Sequence, residues 1–154
     1  LEITETGLMK DLQGVVPSLH RLNQLGTEIS IDDFGTGYSS LSYLTTLPIS
    51  ELKIDRSFVH GLGDTPQSTA IVSAIIALAR ALGLRVIAEG VEKVSQMEIL
   101  YNLGCHICQG FLYAKPMPPA ELEMWVVDVL SKRSLPCIGY EPEPPLAPRP
   151  RSPY

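Results

Sequence analysis

Ile29 and Ile31 alternate with Ser30 and run directly into Asp32, the period-2 pattern of a short strand over Glu28–Asp32. The same reading predicts strands at Leu1–Thr4, Glu51–Ile54, Leu84–Ala88 and Cys105–Gln109. Between them apolar positions recur at helical spacing. Leu8–Leu12 predicts about one turn. Val15, Val16, Leu19, Leu22 and Leu25 mark one face of a helix over Val15–Leu25, with Pro17 in its first turn and Gly26 ending it. Ser40–Leu47 predicts a short helix stopped before Pro48. Ile71, Ile75, Leu78, Ala79 and Leu82 mark a longer one over Gln67–Leu82, closed by Gly83. Ser95 with Glu98 predicts a capping box for a helix over Gln96–Leu103, and a last helix is expected over Ala120–Lys132. Strands and helices therefore alternate, the pattern of a parallel α/β sheet whose strands are buried on both sides.

The polar residues fall at one end of each strand: Glu2 and Glu5, Asp32 and Asp33, Lys53 and Asp55, Glu89 and Glu92, and Gln109. In a parallel sheet those ends share one face, and in a (β/α) barrel that face carries the active site. Charges that merely cap strands at the solvent boundary are the simpler explanation, but five strands of five follow the rule. Asp32 and Asp33 are followed by Gly35 and Gly37, which free the backbone, and by Ser39 or Ser40 as a helix cap. A local bend there can turn both carboxylates onto one site, where a cation relieves their repulsion.

Composition narrows the chemistry. The chain has 154 residues, 45% of them hydrophobic, and a formal charge of −5. This is the size of one domain, and its acidity argues against a nucleic-acid polymer as partner. No apolar run is long enough to span a membrane, and no secretory signal is present. Cys105, Cys108 and Cys137 make no disulfide framework, which points to a reducing, cytoplasmic setting. Cys105 and Cys108 read as core thiols and not as a zinc or redox site, while His20 and His60 read as surface residues. A carboxylate-rich site with few histidines suits Mg²⁺ or Mn²⁺. Two such ions make a water acidic enough to attack a phosphodiester, Lys53 can orient that water, and a further Glu can accept its proton. There is no Ser-His-Asp set and no G-x-x-x-x-G-K phosphate loop.

Seven of the 13 prolines lie in 134–154, a stretch expected to be a disordered tail beyond a domain over 1–133. The chain opens on Leu1 within a strand-like stretch, which reads as a fragment whose preceding part is missing.

Five stretches in order resemble the C-terminal part of the EAL domain of bacterial cyclic-di-GMP phosphodiesterases. They are Leu1–Thr6 (LEITET), Asp32–Ser40 (DDFGTGYSS), Leu52–Val59 (LKIDRSFV), Ala88–Glu92 (AEGVE) and Gln109–Pro116 (QGFLYAKP). The resemblance implies a TIM-like (β/α) barrel of which this chain supplies about strands four to eight. It implies hydrolysis of cyclic di-GMP to linear pGpG with a two-metal Mg²⁺ or Mn²⁺ site, within bacterial second-messenger signalling. Glu2, Asp32, Asp33 and Glu89 would ligate metal, with Asp32 bridging the ions. Lys53 would contact the catalytic water, and Glu89 would be a ligand or the general base. Glu5 would steady the loop Asp33–Ser42, and Asp55, Glu92 and Gln109 would complete the pocket. The resemblance also implies a homodimer in the intact domain and an upstream sensor or diguanylate-cyclase domain, with a parent protein that can be membrane-anchored. The Glu-Ala-Leu signature and a metal-ligating Asn belong to the stretch before Leu1. His106 stands where an acid is expected, and Cys108 where a smaller residue is common. The alternative function is a catalytically inactive cyclic-di-GMP receptor or regulatory module.

Overall fold

In the computed structural model, residues 1–37 and 41–132 are described; the Ser39/Ser40 cap, Cys137 and the tail 134–154 lie outside them. The elements run β1 (Glu2–Thr4), α1 (Glu5–Lys10), α2 (Leu12–Gln24), β2 (Ser30–Phe34), α3 (Leu41–Leu44), β3 (Glu51–Ile54), α4 (Arg56–His60), α5 (Pro66–Ala81), β4 (Arg85–Glu89), α6 (Val94–Leu103), β5 (Ile107–Gln109) and α7 (Pro119–Lys132). The five strands form one parallel sheet in chain order, β1-β2-β3-β4-β5. Helices carry the chain from the end of each strand to the start of the next, as in consecutive units of a (β/α) barrel. Among the described residues, β1 and β5 each pair on one side only.

The register separates the two faces of this sheet. Ile3, Ile31, Leu52 and Val86 are in register, as are Ile54, Ala88 and Cys108. Side chains of a strand alternate between faces, so these share one face. Leu8, Leu19, Val72, Ile75, Ile76, Ala79 and Leu100 of the helices pack with them in a single core. The opposite face carries Glu2, Ser30, Glu51 and Arg85 in one row, then Asp32, Lys53 and Glu89 towards the strand ends. The strands are thus not apolar on both sides, as the run of Ile, Leu and Val suggests. Ile29, Ile31 and Ile54 do not line a barrel interior; they are fully buried in the helix-covered core. The other face is held by ions. At its lower end Arg85 pairs with Glu28 and, at 3.3 Å, with Glu51.

Several helix boundaries differ from expectation for local reasons. Asp11 accepts a hydrogen bond from the Gly14 amide and caps α2, so that helix starts at Leu12 and Pro17 lies inside it. Asp55 caps α4, an unforeseen helix, through the Ser57 amide at 2.9 Å. On α5 the buried face is Val72, Ile75, Ile76 and Ala79, whereas Ile71 is exposed. α6 begins at Val94, and its start is closed by the Gln96 side chain accepting from the Lys93 amide, not by Ser95 and Glu98. β2 runs through both aspartates to Phe34, while β5 shrinks to three residues. His20 is half-buried; His60 is exposed. Cys105 is buried, its thiol 3.5 Å from the Ile107 carbonyl and 3.7 Å from that of Val86.

Candidate active site

Lys53 projects from the centre of the sheet, and its ammonium is 2.6 Å from Glu89, 3.1 Å from Glu2 and 3.2 Å from Asp32. Its partners come from β1, β2 and β4, so one cation joins four neighbouring strands. The Lys53 side chain is almost wholly buried, whereas Glu2 is largely exposed. Burial works against its charge, but hydrogen bonds to Glu89, Glu2 and Asp32 outweigh that cost and raise its pKa above the ordinary lysine value. Lys53 is therefore an ammonium at neutral pH and a donor, not a base.

Two adjacent strand residues normally face opposite ways. Here Asp33 takes φ of 53°, and the β2–β3 register shifts between Ile31 and Phe34. Aspartate tolerates the left-handed region better than most residues because its short side chain can bond locally. The kink aims Asp32, Asp33 and Glu89 so that one oxygen of each lies within 4.8 Å of the others. That spacing and an all-carboxylate donor set fit a hard divalent cation. Desolvation, then the charges of Asp32 and Asp55, raise the Asp33 pKa, with Lys53 opposing them. Burial pushes the Asp55 carboxyl up too, yet the Ser57 hydroxyl and amide donors prevail and hold it below its usual value.

Glu5 packs against the segment that follows Asp33. It is 1% exposed, and its Oε2 accepts the Gly35 amide at 2.7 Å. Gly37 also packs on it: a Cβ there would sit 2.6 Å from Glu5 Oε1. Gly35, at φ of 100°, has no room for a side chain, since a Cβ would sit 2.9 Å from the Phe58 ring. Glu5 is thus no solvated strand-end charge.

The sequence-predicted residues divide into two groups. Glu2, Asp32, Lys53 and Glu89 meet through the lysine, and Asp33 joins through the carboxylate cluster. Asp55 reaches Asp33 but spends one oxygen capping α4. Glu92 and Gln109 are exposed and lie outside the carboxylate cluster. Their main chains contribute instead: the Gln109 carbonyl accepts the Val91 amide at 3.1 Å.

A family model described as EAL domain matches residues 1–116. MucR of Pseudomonas aeruginosa, a bifunctional diguanylate cyclase/cyclic di-GMP phosphodiesterase, is 53% identical over 122 residues. These are 79% of this chain but 18% of MucR. The solved complex of the MucR phosphodiesterase with c-di-GMP superposes with a TM-score of 0.76, covering 79% of this chain and 49% of that one. BlrP1 of Klebsiella pneumoniae, solved with manganese and c-di-GMP, is 35% identical at a TM-score of 0.70, covering 75% of this chain and 29% of BlrP1.

Proposed function

This chain belongs to the EAL-domain family, and from that membership we propose that it carries the metal-binding and lysine-bearing part of a cyclic-di-GMP phosphodiesterase, which hydrolyses one phosphodiester bond to give linear pGpG. One observation carries the reading: Lys53 of β3 gathers carboxylates from three neighbouring strands, Glu2, Asp32 and Glu89, and Asp33 joins Asp32 and Glu89 in one carboxylate cluster on the same face of the parallel sheet. Two relatives support substrate and cofactor: MucR is described as a cyclic di-GMP phosphodiesterase, and BlrP1 is solved with manganese and c-di-GMP.

Asp32, Asp33 and Glu89 would hold divalent cation, Mg²⁺ or Mn²⁺, with Glu2 reaching the same region through Lys53. Bound cations supply Lewis acidity and lower the pKa of a nearby water. The protein's own share is then positional and electrostatic. Lys53 would donate hydrogen bonds and could orient the attacking water and the phosphate oxygens. Glu89, 2.6 Å from that ammonium, would serve as a metal ligand or as the general base that accepts the water's proton. Glu5 holds the Gly35 amide and so fixes the loop after Asp33. Asp55, Glu92 and Gln109 would line the substrate side.

The outer strands β1 and β5 each have one neighbour among the described residues. Closing a barrel like those of its relatives therefore calls for further strands, and a protein that carried them would, by its resemblance to the family, be a homodimer with an upstream sensor or diguanylate-cyclase domain. The proposal is tested by following pGpG formation from cyclic di-GMP with Mn²⁺. Binding without turnover would favour the receptor reading instead.

A further inference from the structure

The side chain of Gln96 is fully buried, although an amide at the first turn of a helix could as easily face water. Its Oε1 accepts the amides of both Glu92 and Lys93 at 2.9 Å, and its Nε2 donates to the His60 carbonyl at 3.4 Å. One side chain therefore ties the segment leaving β4 to the end of α4. The same segment is confined on its other sides. Gly90, at φ of 69°, passes so close to α4 that a Cβ would sit 2.6 Å from the Arg56 Cβ. Val91 is fully buried, donates to the Gln109 carbonyl at 3.1 Å and accepts the Leu112 amide at 2.9 Å. Gly110 lies flush against the Val91 backbone, where a side chain would collide.

We propose that Gln96 is a positioning residue for the active site: it clamps residues 90–93 between the exits of β3 and β5 and thereby sets where Glu89 stands against Lys53, Asp32 and Asp33. The inference rests on the phosphodiesterase reading for its consequence, but the clamp itself is a property of this chain. An amide suits the task because a carbonyl oxygen can accept two backbone N–H groups while the NH₂ serves a third partner. Without it, two part-buried donors at a helix start lose their acceptor.

The test compares the unsubstituted chain with Gln96→Met, of similar volume but with no strong acceptor, Gln96→Glu, which keeps the acceptor, and Leu100→Ala, a core change on the same helix. Residue-resolved amide exchange is measured on each, and Mn²⁺ affinity by calorimetric titration. Gln96→Met is expected to speed exchange at Glu92 and Lys93 and also at Val91 and Leu112, whose amides bond to other partners. Its Mn²⁺ affinity is expected to fall about tenfold, the scale typical of groups that support metal ligands. Gln96→Glu is expected to restore most of both, and Leu100→Ala to loosen the helix without that pattern. Unchanged exchange at Val91 and Leu112 in Gln96→Met would reduce Gln96 to a local helix cap and overturn the proposal. The same pattern in Leu100→Ala would overturn it as well. Absence of Mn²⁺ binding by the unsubstituted chain would refute the metal reading, and amide exchange would still decide the clamp.

Discussion

Replacing Lys53 by Met keeps most of the side-chain stem and removes the charge. Three carboxylates on three strands then lose their shared cation. Glu2 is exposed, so its pair is worth only ~0–1 kcal/mol. Asp32 and Glu89 are mostly buried, at 23% and 19% side-chain exposure. Removing one partner from a buried pair typically costs ~3–5 kcal/mol, because the remaining charge stays uncompensated. Lys53→Met is therefore expected to lose about 3–5 kcal/mol in the absence of metal, against a total of ~5–15 kcal/mol for a typical domain. The assay is urea unfolding in EDTA. The raised pKa of Lys53 fixes the sign with pH: its contribution is fully present below the unfolded lysine value of ~10.4 and is lost as pH rises through the folded value. The deficit is thus constant from neutral pH towards ~10 and shrinks beyond. Mn²⁺ replaces the lost positive charge, so the variant gains more from the ion than the unsubstituted chain does. The reference gain at 100 times Kd is ~2.7 kcal/mol. Unfolding of both proteins at the same urea concentration in EDTA would refute the idea that this ion network holds the strand ends together.

Glu5→Ala leaves the Gly35 amide without its charged acceptor, at an expected ~1.5–3 kcal/mol. Mn²⁺ affinity should fall ~10–100-fold through the loosened loop, and an unchanged calorimetric titration would show that the loop does not need Glu5. Protons compete with the cation at Asp33, whose carboxyl is raised by desolvation and by Asp32 and Asp55. Mn²⁺ affinity is therefore expected to decline on acidification before an ordinary carboxylate would respond, and Asp33→Asn should remove that early step. By the same sign, ionisation of Asp33 costs stability as pH rises through its folded pKa.

The alternation of strands and helices, and the gathering of acids at the strand ends, were legible because both follow from short-range patterns. The identity of the two sheet faces was not. Nothing in the run of Ile, Leu and Val assigns Ile29, Ile31 and Ile54 to one face until register shows that Glu2, Asp32 and Lys53 share the other. Register is a non-local property, and neighbouring apolar runs do not encode it. The sequence does not specify the bend that brings adjacent aspartates to one site; Asp33 supplies it with a left-handed backbone and a register shift. α4 went unseen because its five residues, Arg-Ser-Phe-Val-His, carry no helical period, although Asp55 with Ser57 is a legible cap. Gln96 was hidden by the nearer Ser95–Glu98 pair. Only the fold shows the Glu92 amide and the His60 carbonyl within its reach.

The most direct test of the central claim is to join this chain to the preceding strands of a related EAL domain and follow cyclic di-GMP with Mn²⁺ by chromatography. The same protein with Asp32→Asn is run beside it. Conversion to linear pGpG is predicted, and Asp32→Asn is expected to abolish it, because the single neutral oxygen of an amide cannot bridge two divalent ions as the Asp32 carboxylate would. Near-normal turnover in Asp32→Asn, or binding of cyclic di-GMP with no pGpG from a folded, Mn²⁺-loaded protein, would contradict that claim.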